Sequence, residues 1–209
     1  MTTVDRSGRH RLRLLDGMTA AVARKGYPAV TIADVVAEAG VSKRTFYEHF
    51  HGKEDCLLAC YVEDSNAMLA TLHRQLATGP GAGPGVIHAV LEAYLGFLDR
   101  AAPTAATLLI EVQRSGAEGR RVYRRTNHEF AVLIRDSVAA GHPVAGFDVD
   151  QSVALVGGVN ELVLSHAEDH PGVPFSTLGP AILRFVRAVI GTGATAECPD
   201  TAPAGRSGH

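Results

Sequence analysis

The sequence predicts an all-α fold in which a small three-helix unit at the N-terminus is followed by a larger helical body. Apolar residues recur at three- and four-residue spacing along most of the 209-residue chain, as they do on one face of a helix. Gly and Pro interrupt these segments, most clearly at 78–85 (TGPGAGPG) and at 141–147. No segment has a convincing strand pattern, so no sheet is expected.

The first helix is predicted over residues 9–25. Its apolar face carries residues at helical spacing: Leu12, Leu15, Met18 and Val22. Gly26 follows where such a helix is expected to end. Residues 1–8 precede the pattern and are mostly polar, which predicts a mobile N-terminal arm.

The second helix begins near Thr31. The Thr31 side chain can cap it, and Asp34 three residues later supplies the acidic partner of a capping box. The apolar face of this helix is formed by Ile32, Val35, Val36 and Ala39. Gly40 stands where a left-handed residue ends a helix, because glycine lacks the Cβ that makes this conformation costly. A short helix closed by a tight turn is therefore expected.

A third short helix is predicted directly after this turn, with Ser42 as its cap. Phe46 and Phe50 are four residues apart and share its buried face, and Val41 can pack on Phe46 as a hydrophobic staple. The outward and flanking positions carry Lys43, Arg44, Thr45, Tyr47 and Glu48. Two short helices that present basic, hydroxyl and phenolic groups in this way are typical of a helix-turn-helix motif, whose second helix enters the DNA major groove.

Six more helices are predicted in the body. Their expected bounds are 53–77, 86–101, 103–115, 117–140, 148–170 and 176–190. The last two are apolar around most of their surface, which favours a subunit interface; a buried hairpin within one chain is the alternative. Gly157 and Gly158 weaken the eighth helix by ~1 kcal/mol each against Ala, as is expected where another backbone approaches closely. The tail from residue 192 is rich in Gly, Ala, Pro and Ser and is predicted to be disordered.

Charge is distributed unevenly along the chain. The whole sequence has a net charge of −2 and is 46% hydrophobic, but residues 1–53 hold nine Lys or Arg against five Asp or Glu. The remainder holds eleven basic and seventeen acidic residues. A basic unit on an acidic body is typical of a module that faces nucleic acid, although an ordinary solvated face is the alternative. The basic arm that could reach the DNA backbone or minor groove contains Arg6, Arg9, Arg11 and Arg13.

Other classes of function find little support. No apolar run approaches the ~20 residues of a membrane span, and the N-terminus lacks the apolar core of a signal peptide, which predicts a cytoplasmic location. No phosphate-binding loop or nucleophile elbow occurs, so no catalytic residue or cofactor is assigned. Cys56 and Cys60 are interpreted as packing residues, with a thiol switch as the alternative. His166 and His170 have the spacing of two metal ligands but lack the accompanying carboxylate motif, so no metal site is assigned.

One ungapped run of residues in the N-terminal quarter carries a more specific pattern. Its members are Gly26, Tyr27, Val30, Thr31, Ile32, Asp34, Val35, Ala39, Gly40, Val41, Ser42, Thr45, Phe46, Tyr47, His49, Phe50, Lys53, Glu54 and Leu57. This run resembles the DNA-binding domain of the tetracycline-repressor (TetR) family, whereas the rest of the chain is similar to the family only in length and helical character. The resemblance implies a DNA-binding domain at 1–52, an effector-binding and dimerisation domain at 53–191, and a tail at 192–209.

Eight residues are candidates for DNA contacts: Thr31, Ser42, Lys43, Arg44, Thr45, Tyr47, His49 and Lys53. An Arg can bind guanine O6 and N7 with two hydrogen bonds, a Thr can pack its methyl on thymine, and a Tyr hydroxyl commonly meets phosphate. Thr31 and Lys53 stand at helix N-termini, which suits them to phosphate. Glu48 is an exception, because phosphate repels it unless it accepts from a cytosine amine or neutralises Arg44.

The resemblance also implies a ligand pocket enclosed by the fourth to seventh helices. The candidate residues are Tyr61, Tyr94, Phe97, Gln113, Tyr123, Asn127 and Phe130, with Glu111 and Arg121 as further polar candidates. Fixed charge is scarce along the fourth and fifth helices, which favours an uncharged or mostly apolar ligand. In the family, the last two long helices pair with their copies to form a homodimer core.

Together these features predict a homodimeric transcriptional regulator, most simply a repressor that a small molecule releases from a palindromic DNA operator. Two alternatives stay open. One is a DNA-binding activator or architectural protein without a small-molecule effector. The other is a helical enzyme or lipid carrier that retains the N-terminal unit.

Overall fold

The computed structural model describes residues 3–78, 84–141 and 147–191. Within these ranges the chain forms nine α-helices and no strand, which confirms the predicted all-α fold. The helices are α1 (Thr3–Lys25), α2 (Ile32–Ala39), α3 (Lys43–Tyr47), α4 (Lys53–Thr78), α5 (Pro84–Arg100), α6 (Ala102–Arg114), α7 (Gly116–Gly141), α8 (Val149–Asp169) and α9 (Gly179–Gly191). Short 3-10 turns lie at Tyr27–Ala29 and Phe175–Leu178. The loop predicted at 78–85 and the break at 141–147 lie mostly outside the described residues, and the tail from 192 lies wholly outside them.

Two helices begin three or more residues away from their predicted starts. Helix α1 begins at Thr3 and not at residue 9, so the described part of the expected arm belongs to the helix. No Pro interrupts these residues, and extending an existing helix costs far less than starting one. Helix α9 begins three residues late, because the Asp99 carboxylate accepts the backbone N–H groups of Phe175 at 2.6 Å and Ser176 at 3.3 Å and so holds a separate turn before it.

The first hydrophobic core lies beneath the N-terminal helices and extends into the body. Buried residues of α1, α2 and α3 contact the first turns of α4 in this core, and Phe46 and Leu57 are among its fully buried side chains. Leu108, Leu109 and Val112 of α6 belong to the same cluster. The three-helix unit is therefore packed on the body through continuous apolar contact.

The second core fills the interior of the body. Its buried members are Met68, Leu72, Leu91, Leu95, Leu98, Leu133, Val163, Phe175 and Ile182. Helix α4 contributes to both cores, with its early turns in the first and its later turns in the second. This helix thus links the N-terminal unit to the interior of the body.

Within the single chain, the glycines of α8 lie against a side chain or open space, so the approach of another backbone stays a prediction for a partner subunit. A Cβ at Gly158 would lie 2.7 Å from the ring of Phe185 in α9, which means that a side chain packs against the glycine. A Cβ at Gly157 would meet nothing within 4 Å in the single chain. Only Gly158 is therefore required by packing between α8 and α9.

Backbone does approach a glycine closely where α1 crosses α2. A Cβ at Gly17 would lie 2.7 Å from the carbonyl oxygen of Val35 and 3.0 Å from the backbone nitrogen of Ala39. Ion pairs between the Arg24 and Glu38 side chains and between the Lys25 and Asp34 side chains join the same two helices. The position of α2 on α1 therefore depends on the absence of a side chain at residue 17.

We expect Gly17→Ala to lower the free energy of unfolding by ~1–3 kcal/mol, as overpacked sites do, because the backbone of α2 cannot move aside alone. Gly8→Ala in the same helix is the matched control, since nothing lies within 4 Å of its Cβ. That control is expected to be neutral or to stabilise the protein by up to ~1 kcal/mol. Urea unfolding of both variants measures the difference, and equal stabilities would contradict the close crossing.

Candidate nucleic-acid interface and internal cavity

Helix α2 is closed at both ends by the local contacts that its sequence predicts. The backbone N–H of Thr31 donates to the Asp34 carboxylate at 2.7 Å, and the Asp34 N–H donates to the Thr31 hydroxyl at 3.3 Å, which completes the capping box. Gly40 has φ 60 and ψ 41, in the left-handed region. Hydrogen bonds from Lys25 and Thr31 hold the pKa of Asp34 well below the ordinary carboxyl range. The turn between α2 and α3 is therefore defined by residues within a few positions of it.

Helix α3 is held in place by two aromatic rings. Phe46 is 0% exposed and Phe50 is 4% exposed, and their ring centres are 5.6 Å apart. The Arg11 guanidinium lies 5.7 Å from the centre of the Phe50 ring. The Ser42 hydroxyl caps the helix by accepting from the Thr45 N–H at 3.1 Å. With its inner face anchored in this way, the opposite face of α3 is available to a partner.

The outward face of α3 carries basic and phenolic side chains. Lys43 is exposed, the Arg44 side chain is 90% exposed, and Tyr47 is 58% exposed. The Arg44 Nε donates to the Glu48 carboxylate at 3.3 Å, so Glu48 neutralises Arg44 in the free protein. These residues form a compact polar ridge of the kind that fits a major groove.

Three further candidates for DNA contacts are partly buried or already hydrogen-bonded within the protein. Thr45 is half-buried, with its hydroxyl 3.0 Å from that of Ser42. His49 is half-buried beside the Phe50 ring, at 6.3 Å between centres. Thr31 is exposed, but its N–H and hydroxyl both donate to Asp34, so a phosphate would have to share these donors.

Several basic residues of the N-terminal unit are engaged inside the protein. Arg13 donates to the carbonyl oxygen of Gly40 at 3.1 Å, which satisfies a carbonyl at the C-terminal end of α2. Arg24 and Lys25 pair with acids of α2, and Arg11 lies 4.0 Å from Glu63 of α4. Fewer positive charges of this unit are therefore available to DNA than its net charge suggests.

Lys53, expected to face phosphate, instead contacts the turn before α2. Its ammonium donates to the carbonyl oxygens of Tyr27 at 3.3 Å, Pro28 at 3.3 Å and Val30 at 3.0 Å, and it lies 4.7 Å from the centre of the Tyr27 ring. Burial, with Glu54 and Glu111 nearby, raises the pKa of Tyr27 to about 12. An ammonium has three N–H donors, and here each has a carbonyl acceptor. Lys53 thus clamps the first residue of α4 to the turn before α2.

The body encloses a cavity of about 740 Å³. Its walls come from α4, α5, α6 and α7, as predicted, and also from α8 and α9. Most of the lining is apolar, including Met68, Leu72, Leu91, Leu133, Val163 and Ile182. A cavity of this size and polarity suits a small organic molecule with a large apolar part.

Five of the seven predicted ligand residues line this cavity: Tyr61, Tyr94, Phe97, Asn127 and Phe130. The other two do not. The Gln113 amide donates to the Leu109 carbonyl of its own helix at 3.0 Å, and Tyr123 lies behind the wall, where its hydroxyl accepts from Asn160 at 3.3 Å. Glu111 and Arg121, also suggested as polar fixtures, pair with Arg114 and Glu118 on their own helices.

Five polar lining residues were missed from the sequence: Asp64, Ser65, Ser137, Asn160 and Arg187. Asp64 and Ser65 follow Tyr61 by three and four residues, so helical spacing from Tyr61 could have found them. Asn160 interrupts an apolar run of α8 and donates to the Asn127 Oδ1 at 3.3 Å. Arg187 is an exposed residue of α9, and no pattern in the sequence singles it out.

Asp64 is an acidic residue of the cavity wall. Burial, together with Glu63 and Asp16, raises the pKa of its carboxyl group. Burial also raises the pKa of Tyr61 and Tyr94, so both phenols stay protonated near neutral pH. The cavity therefore combines neutral hydroxyl groups with one carboxylate that lies in unfavourable surroundings.

The thiols and imidazoles behave as packing groups in the described part of the chain. Cys56 and Cys60 are buried, with Sγ atoms 3.9 Å from the Leu14 carbonyl and 3.6 Å from the Leu15 carbonyl. The hydrogen bond with Cys56, along with burial, raises the pKa of Cys60, which disfavours the reactive thiolate. The His166 ring stacks on His170 and places Nε2 3.1 Å from the Val173 carbonyl. No cluster of three metal-ligating residues occurs among the described residues.

Comparison with known proteins places these features in context. Residues 14–60 match the family of bacterial regulatory proteins described as the tetR family. The fatty acid degradation regulator FadR from Bacillus halodurans superposes with a TM-score of 0.74 at 16% identity, over 87% of this chain and 95% of that one.

Two further solved structures share the architecture. FadR from Bacillus subtilis, solved in complex with stearoyl-CoA, has a TM-score of 0.70 at 17% identity over 86% of this chain and 97% of that one. The reduced form of NemR from E. coli has a TM-score of 0.65 at 20% identity, over 87% and 97% of the two chains. These similarities show a common fold along nearly the whole chain. Separately, none of the helices in the described ranges is long and apolar enough to cross a membrane.

The clamp formed by Lys53 can be tested without DNA. We expect Lys53→Ala to lower the free energy of unfolding by ~1–3 kcal/mol, because three carbonyls lose a charged donor. Lys43→Ala, which removes an exposed Lys from α3, is the control and is expected to leave stability unchanged. Thermal unfolding measures both. If Lys53→Ala unfolds like the wild type and is impaired only in DNA binding, Lys53 is a phosphate contact and not a clamp.

Proposed function

We propose that this chain, whose residues 14–60 match the tetR family of bacterial regulatory proteins, is a DNA-binding regulator of that family and acts as a repressor. In this proposal a homodimer binds a palindromic operator, and a small molecule in the cavity of the body releases it. The observation that supports the proposal best is the exposed ridge of α3 held outward by the buried rings of Phe46 and Phe50.

We assign the reading of bases to the ridge residues Lys43, Arg44 and Thr45, and assign phosphate contacts to Thr31, Ser42, Tyr47, His49 and Lys53. Arg44 is the main base-reading residue, because its extended guanidinium can pair with guanine once it leaves Glu48. Lys53 can meet a phosphate only by giving up one of its three carbonyl partners, so its main role in this proposal is to hold the turn that precedes α2. Its effect on DNA binding is then largely indirect.

The proposed dimer forms through α8 and α9. Val153 of α8 is 40% exposed in the single chain, and the α9 residues Leu183, Phe185 and Val189 are only half-buried. The open space beside Gly157 allows another helix to approach α8 closely. A second copy packed here would bury this apolar surface, and two recognition helices spaced by one DNA turn, ~34–36 Å, would then meet successive major grooves.

Communication between cavity and DNA is assigned to α4. One end of this helix is fixed by Lys53 to the turn before α2, and Tyr61, Met68 and Leu72 line the cavity further along. A ligand that fits the cavity better when α4 is displaced would favour a different dimer. In that dimer the recognition helices would no longer be separated by one DNA turn. Such coupling is typically worth ~1–3 kcal/mol and requires different ligand affinities in the two states.

The effector in this proposal is a molecule with a long apolar part. The apolar lining supports it, and FadR from Bacillus subtilis, which shares the fold, was solved with stearoyl-CoA. A long hydrocarbon chain can follow the side chains of α4, α7 and α9 along the cavity.

Selection of preferred sites from random duplexes, followed by titration of the complex with stearoyl-CoA and with long-chain alcohols, tests the whole proposal. A palindromic site and weaker DNA binding in the presence of a bound compound are expected. DNA binding that is unchanged at saturation of every compound that binds would instead indicate an activator or architectural protein without an effector.

Arg44→Ala is expected to cost ~1–3 kcal/mol on the selected site and much less on random DNA, because a base contact carries specificity. Arg114→Ala is the matched control, since Arg114 is also an exposed residue in an ion pair on its own helix, but lies in the body. Lys53→Ala is expected to weaken binding to all duplexes alike. Binding isotherms on specific and random duplexes separate the three variants, and equal losses on both duplexes for Arg44→Ala would refute its assignment.

A further inference from the structure

We infer that the cavity holds an amphipathic cation, with a protonated amine beside the Asp64 carboxylate and an apolar tail in the remainder of the space. This inference rests on the proposed function in one respect, namely that the cavity is the effector site. It goes further by naming the charge of the ligand and the residue that recognises it.

The polar groups of the cavity wall lie mainly at one end. Asp64 and Ser65 are within four residues of Tyr61 on α4. Tyr123 interacts electrostatically with both Tyr61 and Tyr94, and it accepts a hydrogen bond from Asn160, which contacts Asn127. Residues further along α4, α7 and α9 provide the apolar remainder: Leu72, Leu76, Leu133, Ile134, Val186 and Ile190. Such a cavity fits a molecule with one polar head and one hydrocarbon tail.

Among the polar groups at this end, the amides have partners in the wall and the carboxylate does not. Asn160 donates to Tyr123 and Asn127. Tyr61 and Ser65 are hydrogen-bonded to each other. No hydrogen bond or ion pair to Asp64 occurs from any residue in the described ranges. The Asp64 oxygens are not fully buried, so the carboxylate is free to accept hydrogen bonds from a ligand in the cavity.

The charged neighbours of Asp64 favour a cation over an anion. The charged groups that act on it are Glu63 on its own helix and Asp16 of α1, and the buried Cys60 thiol and Tyr61 phenol nearby are neutral. The same neighbours raise the pKa of Asp64. A carboxylate or phosphate head would add a further negative charge here, whereas an ammonium would neutralise one and donate hydrogen bonds.

Arg187 marks the alternative site for an anionic head. It is an exposed residue of α9 that also lines the cavity. An anion bound at Arg187 would direct its apolar tail towards the unpaired carboxylate, which is the unfavourable orientation. The two orientations predict opposite preferences for head-group charge.

The position of Asp64 also relates the head group to DNA binding. Tyr61, one turn earlier on α4, belongs to the first hydrophobic core, which contains Phe46 and Phe50. Asp16, which opposes Asp64, lies on α1 of the same unit. A cation placed here changes the charge balance between α1 and α4, next to the unit that carries the recognition helix.

The test compares decylamine, decanol and decanoate, which share a tail and differ in head charge, by calorimetric titration below the concentrations at which they aggregate. Decylamine is expected to bind roughly 10- to 100-fold more tightly than decanol, the range of a hydrogen bond to a charged group. Decanoate is expected to bind more weakly than decanol. Tighter binding of decanoate than of decylamine would overturn the inference in favour of Arg187.

Asp64→Asn keeps the shape of the side chain and removes its charge. This variant is expected to lose the preference for decylamine while its affinity for decanol changes by less than about 3-fold, within the usual scatter of a neutral contact. It is also expected to unfold at a higher temperature than the wild type, because an uncompensated carboxylate is removed. Retention of the full amine preference in Asp64→Asn would show that another group recognises the cation.

Glu92→Gln is the matched control. Glu92 follows the cavity-lining Leu91 on α5 and carries the same charge as Asp64, but it is exposed beside His88 and does not line the cavity. It should keep the amine preference.

If decylamine binds through Asp64 but leaves operator affinity unchanged, the cation site stands and the proposed regulation fails. If only decanoate binds and releases DNA, the regulation stands and the cation site fails.

Discussion

Helix α4 packs in two hydrophobic cores at the same time, and the rest of the structure depends on this constraint. Its early turns bury Cys56, Leu57 and Tyr61 against the N-terminal unit and α6, whereas its later turns bury Met68 and Leu72 inside the body. Because one continuous helix serves both cores, neither core can be repacked without consequences for the other. This arrangement explains why the N-terminal unit sits on the body through apolar contact.

The same constraint gives the cavity its position. Tyr61 belongs to the first core and also lines the cavity, so the polar end of the cavity lies where the two cores meet. In the proposed mechanism, a ligand that binds there would act next to the contacts that orient the N-terminal unit. Lys53 completes the mechanical connection at the other end of the same segment, because its ammonium ties α4 to the turn before α2. Coupling between the two proposed sites then needs only a shift of one helix between two packed positions.

The recognition helix illustrates how little local stability a binding surface needs. Helix α3 has five residues, far below the length at which an isolated helix is stable in water. Its conformation depends on the Ser42 cap and on burial of Phe46, both of which act on its inner side. The outward side chains are therefore not needed to hold the helix in place, so their identity can serve contact with a partner. Many other cations of the N-terminal unit, such as Arg13 and Arg24, have structural partners instead.

Features that depend on neighbours a few positions apart were predictable from the sequence. The capping box of Thr31 and Asp34, the left-handed Gly40 and the burial of Phe46 and Phe50 follow from helical periodicity and from backbone sterics, and all are present. The all-α fold and most helix bounds were predictable for the same reason. Five of the seven residues that the resemblance placed at a pocket line the cavity, because the resemblance implied which helices enclose it.

The tertiary structure alone decided the features that join distant segments. The carbonyl partners of Lys53 lie 23 to 26 residues away, the ring that packs on Gly158 comes from another helix, and the environment of Asp64 depends on α1. Periodicity states which face of a helix is apolar, but it does not state how two helices cross or which side chains meet at the crossing. The sequence by itself therefore determined the helices and the motif, whereas the crossings of those helices decided where the clamp, the cavity and its unpaired carboxylate lie.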